Sequence, residues 1–221
     1  MDRSQEPDFR GVAESVVVES GASARGSVAP DGRTRDVLPA TVLTEVCAPW
    51  VVLTVGSVHL GRAVGSTGWG LATAAGLGIV PQAAITWRVR RKALSDHHVT
   101  RREDRPLVIV GIAGSVATLL AAQRWGDAPD ELQRMTRAAL VALGVAGAAT
   151  LRIKVSFHTA VLSGAVAVLA RELSPRYWRL LALVPTVAWA RVRISHHTPA
   201  ETALGAVIGV ACGSLAGAGH R

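Results

Sequence analysis

From about residue 37 onward, apolar segments alternate with short polar breaks. The apolar segments lie near 40–60, 68–87, 106–123, 137–153, 158–172, 178–192 and 200–218. Ala, Val, Leu and Gly dominate them, and such runs are typical of helices that are apolar on all sides. Several are shorter than the roughly 20 residues that a straight bilayer crossing needs, so their number is six or seven. The pattern predicts an all-α, polytopic membrane bundle of six to seven transmembrane helices.

The first 36 residues have a different character. They contain five arginines and seven acidic residues, hence a net charge of −2, and are rich in Ser, Gly, Asp and Glu. This composition predicts a flexible polar tail. No basic stretch is followed by an apolar one, so we do not expect a cleaved signal peptide. We therefore divide the chain into a tail, 1–36, and a transmembrane domain, 37–221.

Composition supports the membrane assignment. Hydrophobic residues make up 49% of the 221 and charged residues 18%, against about 25% charged in soluble domains. The formal charge is nevertheless +8. A nucleic-acid binder should present its basic residues on an exposed face rather than beside apolar runs, so we expect no nucleic-acid partner. The two cysteines lie in apolar segments and suggest no disulfide framework.

Three polar loops, after the second, fourth and sixth apolar segments, share one face of the predicted bundle. They contain five of the seven histidines: His97, His98, His158, His196 and His197. They also carry more Lys and Arg than the opposite loops, which predicts a cytoplasmic position at the plasma membrane. Because His and Arg are costly at membrane depth, their clustering predicts a polar site for an anion. Arginine geometry and histidine proton transfer favour phosphate.

Each of these loops contains a short motif that combines histidine or arginine with a fixed spacing. The motifs are His98-x6-Arg105-Pro106, Ser156-x-His158 and Arg191-x5-His197-x3-Glu201. In order and spacing they resemble the type 2 phosphatidic acid phosphatase superfamily of membrane lipid phosphatases, over about residues 95–210. The chain departs from that pattern at five positions: His98 stands for Lys, Val155 for Pro, Phe157 for Gly, Ala190 for Ser and Glu201 for Asp.

The resemblance implies a metal-independent hydrolysis of a lipid phosphate, without a cofactor. His197 would attack phosphorus and become phosphohistidine, and His158 would protonate the leaving oxygen and then activate water. Glu201 would orient His197. The implied phosphate-binding groups are His98, Arg105, Lys154, Ser156, the amide of Phe157, and Arg191. The implied partners are the lipid bilayer and a lipid phosphate such as a polyprenyl phosphate, a polyprenyl diphosphate or a prenyl-linked sugar phosphate.

Structural alternatives stay open for several of these residues. Glu201 completes the capping box Thr198-Pro199-Ala200-Glu201, and Ser156 is placed to cap the next helix. Arg105 and Arg191 also suit anchoring to anionic headgroups. Glycine recurs every fourth residue from Gly205, which favours helix packing. His59 and Glu45, in the first apolar segment, either pair with each other or line a cavity.

Three other functions compete with the phosphatase. A prenyl-diphosphate lyase, cyclase or transferase would use the same phosphate site, and a degenerate family member would only bind anionic lipid. A histidine metal site is disfavoured, because the adjacent histidines do not have ligand-pair spacing and no carboxylate pattern completes them. The oligomeric state is left open.

Overall fold

The computed structural model describes residues 37–90 and 105–216, with side chains omitted at 105–107 and 216. Within these ranges the chain is helical and contains no strand, which confirms the all-α prediction. The described residues from Pro39 onward belong to one compact unit. The predicted tail, 1–36, lies outside the described residues.

The helices follow one another with short connections. They are α1 (Leu38–Val46), α2 (Pro49–Ala63), α3 (Thr67–Ala74), a π-helical segment (Ala75–Ile79), α4 (Val80–Arg90), α5 (Arg105–Trp125), α6 (Asp130–Thr150), α7 (Phe157–Glu172), a 3-10 helix (Pro175–Ala182), α8 (Leu183–Arg193) and α9 (Pro199–Ala216). Every predicted apolar segment coincides with one helix or with consecutive helices in this list.

Local sequence explains where several helices begin and end. Prolines occupy the first turn of α2 and of α9, where the missing N–H has no intrahelical acceptor to lose. Asp130 and Glu131 lie in the first turn of α6, where negative charge complements the helix dipole. Gly65 follows α2 with a φ of 73°, a conformation that glycine adopts without strain.

Helix α7 lies at the centre of the bundle. Eleven of its 16 residues are buried, and it packs against α9, α2 and α6. The main core cluster joins Val168 and Leu169 of α7 to Leu60 of α2 and to Leu132 and Met135 of α6. The first residues of α7 carry the predicted Ser-x-His motif, so this packing fixes that motif relative to the rest of the bundle.

Helices α7 and α9 approach each other closely along the glycine stripe. A Cβ added at Gly205 would lie 2.5 Å from Thr159 Oγ1, and one added at Gly213 would lie 2.5 Å from the Gly164 carbonyl. The hydroxyls of Thr159 and Ser163 donate to the carbonyls of Thr202 and Ala206, at 2.8 and 2.9 Å. The packing role predicted for the stripe is thus confirmed at Gly205, Gly209 and Gly213.

Few of the described helices are long and apolar enough to cross a membrane. Val108–Trp125 of α5 passes such a test, and α1 with α2 passes as a pair bent by 41°. Pro199–Leu215 is a shorter apolar helix. Only 11% of the α5 stretch is buried, so it is not a soluble core helix, whose apolar face would be covered by protein. These helices indicate membrane association.

Candidate functional site

A polar cavity of about 300 Å³ lies where two of the three predicted motifs meet. Most of its polar lining comes from the segment before α7, the first turn of α7, the end of α8 and the turn that follows α8: Lys154, His158, Arg191, Ser195, His196 and His197. Glu45, Gln82 and Thr150 add polar groups from α1, α4 and α6. Apolar side chains of α2, α4, α5 and α6 form the remaining walls. The structure therefore brings His158, Arg191 and His197, predicted from separate motifs, to one cavity.

The turn after α8 places His197 by its backbone. Arg191 lies in the last turn of α8 rather than in a loop. Ser195 has a φ of 59°, and the His196 N–H donates to the Arg191 carbonyl at 3.1 Å while the Ser195 N–H donates to the Val192 carbonyl at 3.0 Å. These bonds form a Schellman motif. The His197 N–H also donates to the Arg191 carbonyl, at 3.2 Å, so arginine and histidine are tied at a fixed separation.

Glu201 both caps α9 and contacts His197. The Thr198 N–H donates to Glu201 Oε2 at 3.1 Å, and the Glu201 N–H donates to Thr198 Oγ1 at 3.3 Å, which is the reciprocal capping box. His197 Nδ1 lies 3.0 Å from the same Glu201 Oε2. The capping and orienting roles, stated above as alternatives, therefore coexist: the cap holds the carboxylate where it can orient the imidazole.

This contact fixes the chemistry of the His197 ring. An ionised carboxylate only accepts hydrogen bonds, so Nδ1 is the protonated nitrogen and Nε2 of the neutral ring bears the lone pair. Burial lowers the pKa of His197 to about 4, and the charges of Arg191 and Lys154 act in the same direction, against the opposing effect of Glu201. His197 is thus neutral near pH 7, with Nε2 available as a nucleophile.

Arg191 brings buried positive charge to the cavity. The residue is only 4% exposed, and its Nε and Nη1 have no hydrogen-bond partner among the described residues. Buried guanidinium donors without acceptors are costly, and an anion in the cavity would supply acceptors. The carboxylate of Glu45, which also lines the cavity, acts electrostatically on Arg191.

The segment before α7 is held by contacts to the turn that carries His197. The Lys154 ammonium donates to the His196 carbonyl, and the Ser156 N–H donates to the Glu201 carbonyl at 3.2 Å. His158 follows in the first turn of α7, 8% exposed and lining the cavity. An ammonium has three donors, so the contact to His196 leaves Lys154 able to bind an anion as well.

Ser156 lies directly before α7, between two residues that line the cavity. It occupies the N-cap position of α7, as one of the two predictions had it, but its side chain makes no capping hydrogen bond. Its Oγ is fully buried and has no partner in the described part of the chain. Ser156 does not line the cavity, whereas Val155 and Phe157 on either side do. The Phe157 N–H, first in the helix, has no acceptor within α7 and suits an anion.

The first predicted motif is described only in part. His98 lies outside the described residues, together with the neighbouring His97, Arg101 and Arg102. Arg105 begins α5, but its side chain is among those omitted. The roles assigned to His98 and Arg105 therefore stay predictions.

Several polar residues that line this cavity have no role in the predictions above, among them Glu45 and Ser195. Glu45 lines the cavity, which is one of the two alternatives stated above for Glu45 and His59. His59 lies elsewhere, with its Nε2 2.6 Å from Tyr177 Oη. Ser195 was missed because the left-handed turn that brings it to the cavity has no glycine to mark it. An acidic residue in an apolar segment, such as Glu45, was the available signal.

The described residues contain no cluster of His, Cys, Asp and Glu with the arrangement of a metal site. What they do contain is a neutral, oriented imidazole, a second histidine, and cations with free donors around one cavity. This set can bind a phosphoryl group and supply a nucleophile and a proton donor. In comparisons with protein-family models, curated proteins and solved structures, the chain has no significant match.

Proposed function

We propose that this chain is a membrane-embedded phosphatase that hydrolyses a lipid phosphate through a phosphohistidine intermediate, without a metal. One observation carries the proposal: His158, Arg191 and His197 line one cavity, with the His197 ring oriented by Glu201 and kept neutral by burial. The order and spacing of the motifs, which resemble those of the type 2 phosphatidic acid phosphatases, give independent support.

The proposed reaction has two displacements at phosphorus. His197 Nε2 forms a bond to phosphorus while the bond to the lipid oxygen breaks, and His158 gives that oxygen a proton. His158 then takes a proton from water, whose oxygen attacks phosphorus and releases His197 and inorganic phosphate. Arg191, Lys154 and the Phe157 amide stabilise the equatorial oxygens, with Arg105 and His98 completing the set.

The surface of the bundle supports a substrate that resides in the membrane. Large apolar side chains stand exposed on several helices, among them Val55 at 62%, Val110 at 69% and Val207 at 66%. A soluble monomer seldom exposes so many, whereas lipid tails would cover them. We propose that the helical segments form a bundle of six to seven spans in the plasma membrane, with the site on the cytoplasmic side, as the basic loops predict.

The phosphohistidine is the decisive test. We expect radiolabelled polyprenyl phosphate, added in detergent with EDTA, to leave an acid-labile and alkali-stable label on His197. His197→Ala should remove the label and lower kcat by at least about 10⁴-fold, because the bond-forming atom is lost. His196→Ala is the matched control, since its neighbouring imidazole lies on the same cavity; it should keep the label.

Other outcomes would replace the proposal. Loss of phosphate release on adding EDTA would indicate a metal mechanism. Release of diphosphate with a hydrocarbon or alcohol product would indicate a lyase or cyclase. Absence of release from every lipid phosphate, with lipid binding retained in His197→Ala, would indicate a non-catalytic lipid-binding protein.

A further inference from the structure

A second cavity adjoins the polar one. It has a volume of about 160 Å³, and the two cavities share wall residues that include Trp50, Gln82, Ile112 and Phe157. The shared walls belong to α2, α4, α5, α6 and α7, so the same helices border both cavities. The two cavities are therefore neighbours, and a chain that leaves the polar cavity past these shared residues would enter the second one.

The second cavity has a different chemical character. The described residues that line it include no charged side chain, and its far wall is formed by Leu77, Val116, Met135 and Val168 of the main core cluster. Leu77 belongs to the π-helical segment, and such segments are frequent at functional sites. This lining suits hydrocarbon and offers no charged group to a second phosphate.

Its size limits what it can hold. An apolar cavity of about 150 Å³ in a well-studied protein stays dry and binds one benzene, so a cavity of this size accommodates about six carbons. That volume fits one stretch of a single alkyl or prenyl chain. The second chain of a two-chain lipid would have to leave the bundle near the phosphate.

We infer that the second cavity receives the first carbons of a single-chain substrate, whose phosphate occupies the polar cavity. The inference rests on the proposed function for the identity of that phosphate. It adds a substrate class, monoalkyl or prenyl phosphates rather than diacyl ones. In detergent, the alkyl chain of the substrate already lies in an apolar micelle before it binds. Its transfer to the apolar cavity therefore gains little hydrophobic free energy, and selectivity among substrates arises from the shape of the cavity.

Photolabelling tests occupancy without requiring catalysis. Hexylphosphonate with a diazirine at the end of its chain cannot be hydrolysed at phosphorus, and it should label residues of the second cavity on α5 or α6. Ala139→Phe places a ring in that cavity and should lower labelling at least about fivefold. Ala148→Phe, on the exposed side of the same helix, is the matched control and should label as wild type does.

Kinetics test the substrate class on the same proteins. Across butyl, hexyl, octyl and decyl phosphate, wild-type kcat/KM should rise and then level off, and exceed that for a diacyl phosphate at least about tenfold. Ala139→Phe should lower kcat/KM for decyl phosphate at least about tenfold while that for butyl phosphate stays within about threefold. If Ala139→Phe does not fold, Ala142→Phe, which lines the same cavity, takes its place.

The outcomes separate the two proposals. Labelling in the second cavity with no phosphate release from any ester would contradict the phosphatase and leave the chain-binding cavity standing. Phosphate release with labelling only on the lipid-facing surface, or with an equal loss for every chain length in Ala139→Phe, would overturn the inference. A diacyl phosphate hydrolysed as fast as the single-chain esters would overturn the substrate class.

Discussion

The α7–α9 pair and helix α5 differ in how much of their surface other parts of the protein cover. Eleven of the 16 residues of α7 are buried, and three glycines of α9 allow its backbone to approach α7. Of the apolar stretch in α5, only 11% is buried, and Gly111 and Gly114 have nothing within 4 Å of an added Cβ. Glycines thus allow close helix packing between α7 and α9, whereas Gly111 and Gly114 of α5 do not take part in such packing.

The difference bears on how the site is assembled. His158 begins α7 and Glu201 lies in the first turn of α9, so the packing of these two helices sets the position of one motif relative to the other. Arg105 begins α5, which has far fewer packed neighbours. We therefore expect changes on the α7–α9 side to affect the nucleophile and its orientation, and changes on the α5 side to affect mainly phosphate binding.

Arg191→Ala should have the largest effect of the following changes, a loss of about 10²–10³-fold in kcat/KM. The variant removes buried donors that stabilise charge on the phosphoryl oxygens. Arg191→Lys should recover part of the loss, because it restores the charge without the planar fork. Arg193→Ala, on the same helix but away from the cavity, should change kcat/KM less than about threefold. The rate of phosphate release from octyl phosphate gives kcat/KM for all three variants. Equal losses of kcat/KM in Arg191→Ala and Arg193→Ala would show that Arg191 does not contribute to the site.

Glu201→Gln should lower kcat by about 10- to 100-fold, since it weakens the contact that orients His197. Thr198→Ala separates orientation from capping, because it removes the hydroxyl that caps α9 and leaves the carboxylate in place. That variant should lose about 1 kcal/mol of unfolding free energy and less than about threefold in kcat. Thermal unfolding and kinetics of both variants distinguish orientation from capping. If Glu201→Gln and Thr198→Ala have the same kcat, Glu201 acts only as a cap.

Gly209→Ala and Gly114→Ala should change stability in opposite directions. At Gly209 an added Cβ would overlap the Ala160 carbonyl and Ser163 Oγ, so we expect a loss of about 1–3 kcal/mol. At Gly114 the Cβ meets nothing, and alanine should stabilise the helix by about 0.5–1 kcal/mol. Thermal unfolding in detergent measures both. A stabilising Gly209→Ala would contradict the close packing of α7 and α9.

The pH profile should have an acidic limb set by His197 and an alkaline limb set by the histidines that must be protonated, His158 as proton donor and His98 in place of lysine. His197 must be neutral to attack, so kcat/KM should fall as the pH drops through its pKa of about 4. His98 must be protonated to replace lysine, so activity should fall as the pH rises past the ordinary histidine value near 6.5. His98→Lys should move the optimum upward by about one pH unit or more. If His98→Lys and the wild type have the same pH profile on one substrate, His98 does not take part in phosphate binding.

The sequence predicted the helices and several of the polar residues that line the cavity. Apolar segments fell on helices because burial and helix formation both follow from local composition and periodicity. Spacing alone placed His158, Arg191 and His197 among the candidates, and all three line one cavity. The capping box was also visible, since Thr198 and Glu201 interact within one turn.

Other features depended on distant contacts. The sequence offered two roles for Glu201, and only the packing of the turn showed that one oxygen serves both Thr198 and His197. Ser156 matched its motif, yet its side chain is buried away from the cavity wall. Glu45 lies more than a hundred positions before Lys154, His158 and Arg191, and its place beside them follows from helix packing.

By itself, then, the sequence determined the all-α class, the helical segments and the residue types of an anion site. These depend on composition and on interactions within a few residues. The tertiary structure decided that two motifs share a cavity, that burial keeps His197 neutral, and that an apolar cavity shares wall residues with the polar one. Burial, shape and pKa depend on which helices approach one another, and that approach is set here by glycines and hydroxyls whose partners lie 43 residues away.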